Sequence, residues 1–180
     1  MPLGALLLVI GTLVIVVPTR DGLVIVTDSK STRRTAGGAP AVSATEKVFA
    51  LEGVDGHAFF VTGASPVEWV VEGQGVATVV DARGVVRARL SRRGPVSRAQ
   101  FEAVAAECAR LASRIHRMGA AAAPLAGRDL FSVVMARAGS ASEPREISSF
   151  VVRLTATGAE VADREFVRFA PGDAPVTKNA

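Results

Sequence analysis

Four residues, Thr12, Asp28, Lys47 and Gly63, have the types and the spacing that nucleophilic catalysis requires. A threonine hydroxyl is a poor nucleophile at neutral pH and needs a nearby base. If Thr12 is the first residue of the mature chain, its own α-amine, with an ordinary pKa of about 7.7–8.0, can act as that base. The first chemistry to consider is therefore attack on a carbonyl carbon by an N-terminal threonine.

The other three residues supply the charges and the hydrogen bond that such an attack needs. An ammonium on Lys47 favours the neutral amine and the alkoxide-like hydroxyl, and the carboxylate of Asp28 holds that ammonium in place. Gly63 has no Cβ, so its backbone N–H can face a developing oxyanion. Lysine is scarce, since the chain has only Lys30, Lys47 and Lys178 against 18 arginines.

Each of these residues has an ordinary structural interpretation when it is considered alone. A threonine in a strand is usually only a strand residue, and an aspartate such as Asp28 more often forms a turn or caps a helix. Lys47 alone is typical of a solvated charge at a strand end, and Gly63 of a strand terminator. Only the four residues together are specific for catalysis.

A β-hairpin is the element that must position Thr12 and Asp28. Residues 12–17 and 23–27 are apolar, β-branched runs on either side of a loop that contains Pro18, Asp21 and Gly22. This pattern predicts a hairpin with both faces buried, whose first strand ends at Pro18. A loop centred near residues 20–21 pairs residues whose numbers sum to about 41–43. Asp28 then ends its strand beside the first residue of the other, and Lys47 begins the next strand.

The first 19 residues carry no charged side chain, and three interpretations compete for residues 1–18. A transmembrane helix needs about 20 apolar residues. A secretory signal normally opens with positive charges, which are missing here, although Val9-Ile10-Gly11 offers a processing point before Thr12. The third interpretation is a strand in the second half. A division at Gly11/Thr12 suits the hairpin best, so we expect residues 1–11 to be a leader and the fold to begin at Thr12.

The rest of the chain predicts an α+β domain over residues 12–170, with a flexible tail over 171–180. Residues 29–43 are predicted to be a loop, and a helix hairpin is expected at about residues 78–118. Its first helix is indicated by the spacing of Val79, Ala82, Val86 and Leu90, and its second by a capping box at Ser97 and Gln100. Strands are expected at residues 47–51, 57–62, 130–136, 147–155 and 161–169. The predicted order is four strands, two helices and three strands.

The segment from Gly11 to Thr32 resembles the start of a mature proteasome β subunit, a branch of the N-terminal nucleophile (Ntn) hydrolases. The shared pattern is Gly-Thr, a strand, a glycine turn, a strand and Asp28-Ser-Lys-Ser-Thr32, followed by Lys47-Val48 and Gly63. The resemblance implies an αββα sandwich of antiparallel sheets and a threonine-type peptidase with catalytic residues Thr12, Asp28, Lys47 and Gly63. The family's serine after the last strand is missing from residues 169–175, and the helices that usually follow are missing too. We therefore expect a reduced C-terminal helical layer.

Composition limits the other classes of function. One cysteine and two histidines exclude a disulfide framework and a zinc site at the usual spacing, and no cofactor or metal is expected. Cys108 falls on the apolar stripe of the second helix, which favours packing over reactivity. Arginines gather on the helix pair, but tyrosine is absent and tryptophan occurs once, so no nucleic acid is expected as a partner. These arginines are 83, 87, 89, 92, 93 and 98.

Two alternatives to a hydrolase stay open at the level of sequence. One is a non-catalytic binding or assembly protein of the same fold, and the other is an exported or membrane-tethered interaction module with residues 1–17 as its anchor. The partners to consider for the hydrolase are a peptide or amide substrate and further copies of the chain in a homo-oligomer. The location is exported or periplasmic if the leader is a signal sequence, and cytoplasmic otherwise.

Overall fold

A computed structural model describes residues 4–10, 14–19, 22–28, 30–34, 41–44, 46–71, 75–90, 95–119, 122–139 and 144–170. These residues form two α-helices, α1 (Ala82–Leu90) and α2 (Arg98–His116), and a short 3-10 helix at Ala123–Leu125. They also form twelve strands, numbered in chain order: β1 (Gly4–Ile10), β2 (Val14–Thr19), β3 (Gly22–Thr27), β4 (Lys30–Arg34), β5 (Ala41–Ala44), β6 (Val48–Ala50), β7 (His57–Gly63), β8 (Val67–Val71), β9 (Gly75–Val80), β10 (Asp129–Arg137), β11 (Arg145–Leu154) and β12 (Ala159–Phe169).

The main core lies between α2 and an antiparallel sheet of order β12-β11-β10-β7-β6. The predicted capping box starts α2, with Ser97 and Gln100 bonding reciprocally, and that prediction is confirmed. Phe101 in the first turn of α2 is 1% exposed, and its ring centroid lies 5.2 Å from that of Phe150 on the sheet. Burial of a side chain of this size stabilises the fold by about 1.5–3 kcal/mol. The predicted stripe of α2 therefore covers the sheet as expected.

The hairpin of β2 and β3 packs on the opposite face of the same sheet. Val16 and Phe60 are buried together, with Ile25 and other partly buried residues of both layers around them. Successive residues of a strand face opposite sides, so Val24 and Val26 point outward and are 47% and 53% exposed. The expectation that both faces are buried is wrong, because in the described residues only one face of this two-stranded sheet is covered.

The predicted register of this hairpin agrees with the structure, but its first strand ends later than expected. Val14 lies opposite Thr27, so paired residue numbers sum to 41, within the predicted range. The strand does not end at Pro18, which pairs with Leu23, and it continues to Thr19. Proline is tolerated there because, among the described strands, β2 pairs with β3 alone, and its other edge needs no donor.

A second five-stranded sheet has the order β5-β4-β1-β8-β9, and none of its strands was among those predicted. Its middle strand, β1, consists of residues that the sequence assigns to a leader. Residues 29–43 are not all loop, because β4 and part of β5 lie within them. Their polar composition hid these strands, since a ladder rests on backbone hydrogen bonds that any side chain permits.

The boundary between strands and helices also differs from the prediction. Val79 belongs to β9, and α1 begins at Ala82. Val79 fits the helical period, because it lies three residues before Ala82, and it also fits the alternating period of a strand. The order of four strands, two helices and three strands is therefore wrong, since nine described strands precede α1. The coarse class is confirmed: the chain is α+β, with antiparallel sheets and two helices. The predicted tail from residue 171 lies outside the described residues.

Candidate functional site

Asp28 and Lys47 form an ion pair, although 18 residues separate them along the chain. The Lys47 Nζ donates a hydrogen bond of 2.7 Å to Oδ1 of Asp28. Asp28 directly follows β3, and Lys47 directly precedes β6. Packing holds these two ends together, because Ile25 of β3 and Val48 of β6 both contact the cluster of Val16 and Phe60.

The two partners differ sharply in their contact with solvent. The Lys47 side chain is 6% exposed, and that of Asp28 is 38% exposed. Removing an ammonium from water is costly unless a charged partner and hydrogen bonds compensate for it. A charge-assisted bond of 2.7 Å supplies such compensation. The site therefore holds a fixed positive charge that is shielded from water and oriented by a carboxylate.

Thr12 lies outside the described residues, so its hydroxyl and backbone have no described position. Val14, two residues later, is the first described residue of β2 and lies opposite Thr27, the neighbour of Asp28. Of the four predicted site residues, the structure therefore describes Asp28, Lys47 and Gly63.

Gly63 ends β7 on the side from which Lys47 enters β6. Val48 pairs with Phe60 in antiparallel orientation, so Lys47 and Gly63 both lie beyond this pair in the same direction. Gly63 has φ of +87°, and a Cβ built on it would meet the Leu130 carbonyl oxygen at 2.5 Å and the Phe131 Cα at 2.8 Å. Only glycine fits this close approach of two backbones. The structure therefore gives Gly63 a packing reason in addition to the role expected from the sequence.

Cys108 is buried, as its place on the helix stripe predicted. It is 0% exposed among the core residues of α2. Burial, aided by the nearby Glu107 and Asp81 carboxylates, raises the pKa of its thiol from 9.0 to about 12. Because the thiolate is the nucleophilic form, this thiol has essentially no nucleophilic form at neutral pH.

Three of the arginines that gather on the helix pair stack on phenylalanine rings. Arg83 and Arg87 of α1 stack over the Phe49 ring, with guanidinium carbons 3.9 Å and 5.2 Å from its centroid. Burial lowers the pKa of Arg83 from its ordinary value. Arg98 of α2 stacks over Phe166 at 4.2 Å. Arg92 and Arg93 lie outside the described residues.

The structure also brings together charged residues that the sequence did not single out. His57, Arg137, Glu146 and Arg168 are aligned across four strands of the main sheet. The sequence indicated only that His57 begins a predicted strand, residues 57–62. The alignment depends on the register between neighbouring strands, and the sequence does not reveal that register.

Comparisons of the chain with family models, with curated proteins and with solved structures found no match. Within the described ranges, no group of three or more His, Cys, Asp and Glu residues is arranged to hold a metal ion. Neither α1 nor α2 is sufficiently long and apolar to cross a membrane.

Proposed function

We propose that this chain is a proteasome-like amide or peptide hydrolase of the Ntn class, with Thr12 as its nucleophile once residues 1–11 are removed. The observation that supports the proposal most is the ion pair of Lys47 and Asp28. Its 2.7 Å bond and the burial of Lys47 are what a fixed cation beside a nucleophile requires. A solvated lysine would be a weaker electrostatic group, because water screens its charge.

The proposed reaction assigns one role to each residue. The α-amine of Thr12 accepts the hydroxyl proton while Oγ bonds to the carbonyl carbon of the substrate. The backbone N–H of Gly63 stabilises the oxyanion of the tetrahedral intermediate. Its collapse breaks the C–N bond, the leaving amine takes the proton, and an ester on Thr12 remains. Water then hydrolyses that ester and restores the hydroxyl.

The ammonium of Lys47 acts on the base in this scheme. A positive charge near the α-amine disfavours its protonated form and lowers its pKa, so more of it is neutral at pH 7. Asp28 is a positioning residue, because it holds the ammonium and does not touch the substrate. We therefore expect the activity of Asp28→Asn to recover at higher pH, where the amine is neutral without help.

The finer fold that we propose is the αββα sandwich of the Ntn class with one helical layer reduced. Helices cover one face of the main sheet, and the β2–β3 hairpin covers the other. Exposed Val24 and Val26 on the outer face of the hairpin support this proposal. A second helical layer over this face would bury such residues.

Acylation by a β-lactone tests the proposed nucleophile. Attack by the hydroxyl opens the lactone ring, so the protein gains the whole mass of the reagent, and tandem mass spectrometry locates the ester. We expect one adduct on Thr12 in the processed protein. Thr12→Val, which has nearly the same shape without the hydroxyl, should give none.

Lysine variants provide the matched control for the role of the ion pair. We expect Lys47→Ala to slow acylation by roughly 10²-fold, the usual size of an acid–base contribution. Lys178→Ala removes a lysine that has no role in the scheme and should leave the rate unchanged. Acylation at another residue, or equal rates in the two lysine variants, would contradict the proposed site.

A second candidate is a non-catalytic binding or assembly protein that keeps residues 1–11. One observation favours it: β1 lies between β4 and β8, with three and four register pairs to them respectively. A chain that discards this segment without replacement leaves two strand edges unpaired, which favours aggregation. The two candidates differ in the N-terminus of the mature protein.

A further inference from the structure

A row of charged and polar residues crosses the main sheet at one end. Arg137 of β10 pairs in register with His57 of β7 and with Glu146 of β11, and Glu146 pairs with Arg168 of β12. Directly opposed residues of antiparallel strands project to the same face. That face is the one covered by α2, because Phe59 and Met135, two residues along from His57 and Arg137, belong to the main core.

This row forms one wall of a cavity of about 470 Å³. Residues Pro95–Arg98 and Phe101, at the beginning of α2, form the facing wall. Met135 and Phe166 supply apolar surface between the two walls. The volume lies within the range of small-molecule sites, about 300–1,000 Å³. Asp28, Lys47 and Gly63 do not line it, so this cavity is separate from the site of the proposed hydrolase.

The charged groups of the cavity wall have an excess of positive charge. Three guanidinium groups line it, those of Arg98, Arg137 and Arg168, against the single carboxylate of Glu146. That carboxylate is shared, since Oε1 accepts from Nε of Arg168 and Oε2 accepts from Arg137 at 3.4 Å. Arg98 bonds to Glu102, which lies outside the cavity, and stacks over Phe166. Guanidinium groups bind carboxylates through paired N–H donors.

His57 contributes a polar atom without a partner. The residue is 7% exposed, and its Nδ1 lies 2.9 Å from the carbonyl oxygen of Asp55. A carbonyl only accepts, so Nδ1 carries the proton, and Nε2 of the neutral ring is an acceptor. Within the described structure Nε2 is buried and makes no hydrogen bond. Nε2 can therefore accept from a donor group of a ligand, but it offers a carboxylate no partner, and of the charged groups in this cavity wall only the guanidinium groups can hold one.

We infer that this cavity binds a small organic carboxylate with an apolar body. Arg98 and Arg168 contact the carboxylate from the two walls, while Phe101, Met135 and Phe166 contact the apolar part. The ligand is larger than an inorganic anion, because the apolar middle of the cavity offers no partner to one. This inference does not depend on Thr12 or on catalysis.

Methyl NMR of the full chain labelled with [13C-methyl]methionine tests the inference. Met135 lines the cavity, which lies at the beginning of α2. Met118 follows the other end of α2, whose 19 residues span about 28 Å, and serves as an internal control. The probes are 3-phenylpropionate, its uncharged analogue 3-phenylpropionamide, and inorganic phosphate. We expect 3-phenylpropionate to shift the Met135 signal in a saturable way without a change at Met118. The amide and phosphate should each bind at least about ten-fold more weakly.

The matched variants are chosen so that the fold is preserved. Arg98 and Arg168 have side chains that are 69% and 76% exposed, and the double variant Arg98→Gln/Arg168→Gln should weaken binding of 3-phenylpropionate at least about ten-fold. Arg153→Gln removes an arginine outside the cavity, 43% exposed, and should leave the affinity unchanged. Thermal unfolding checks that each variant is folded. An unshifted Met135 signal, equal binding of acid and amide, equal binding of phosphate, or full affinity in the folded double variant would overturn the inference.

Discussion

The Lys47 ammonium donates to the Asp28 carboxylate at 2.7 Å, and the ammonium is the partner that the fold buries. Lys47 retains 6% of its exposure while Asp28 retains 38%. The pair joins the end of the hairpin to the start of the main sheet. Removal of Asp28 and removal of Lys47 should therefore lower the free energy of unfolding by different amounts.

Asp28→Asn should destabilise the protein more than Lys47→Met. The first change removes the carboxylate bonded to a buried ammonium, which we expect to lower the free energy of unfolding by about 2 kcal/mol, less than for a fully buried pair. The second leaves a carboxylate in contact with water and should lower it by less than about 1 kcal/mol. Urea unfolding at pH 7 measures both values.

The exposed pair of Arg153 and Asp129 provides the control for this comparison. It has the same 2.7 Å separation, but its side chains are 43% and 53% exposed. Asp129→Asn should therefore lower the free energy of unfolding by at most about 1 kcal/mol. Equal losses for Asp28→Asn and Asp129→Asn would mean that the burial of Lys47 has no energetic consequence.

Gly63→Ala should be strongly destabilising for two additive reasons. The positive φ disfavours any residue with a Cβ, and that Cβ would lie 2.5 Å from the Leu130 carbonyl oxygen. Together we expect a loss of about 2–5 kcal/mol in the free energy of unfolding. Gly53 has φ of +74°, and no atom lies within 4 Å of the place that an alanine Cβ would take, so Gly53→Ala should lose only about 1–2 kcal/mol. Similar losses of unfolding free energy in the two variants would show that the backbone of β10 shifts to accommodate the added Cβ.

Cys108 should make stability depend on pH in the alkaline range. Its pKa is about 12 in the folded protein against 9.0 for the ordinary thiol, so the unfolded state releases the proton first as the pH rises. The stabilising contribution is complete below pH 9 and is lost between pH 9 and 12. At about pH 10 we expect a loss of about 1.4 kcal/mol relative to neutral pH.

The comparison with Cys108→Ala isolates this thiol from other alkaline titrations. The variant loses core packing equally at both pH values, so its free energy of unfolding should fall about 1.4 kcal/mol less than that of the parent between pH 7 and pH 10. An identical pH dependence in the two proteins would indicate that the thiol is accessible to ionisation in the fold.

The pairing of strands joined by a short loop was predictable from the sequence, and the pairing of strands far apart along the chain was not. The pairing of Val14 with Thr27 followed from a hairpin whose short loop restricts its register. The ladder of β1 with β8 joins Gly4 to Val71, and no short loop restricts such a pairing. The row that contains Arg137 could not be predicted either, because each of its four residues lies on a different strand.

Strand β1 should remain bound after cleavage if the chain is processed at Gly11/Thr12. Its register pairs to β4 and β8 do not require a covalent bond to Thr12. We expect the fragment of residues 1–11 to elute with the mature chain in native size-exclusion chromatography and to separate from it in urea, as mass spectrometry would detect. Elution of a folded mature chain without the fragment would show that β1 is dispensable.

The mass of the chain after cell-free synthesis tests the central claim most directly, because purified translation components contain no signal peptidase. The proposed hydrolase predicts that the full-length chain converts to one that begins at Thr12, that Thr12→Ser also converts, and that Thr12→Ala does not. A folded parent chain that keeps residues 1–11 covalently attached, or a Thr12→Ala chain that is cleaved at the same rate, would contradict Thr12 as the nucleophile.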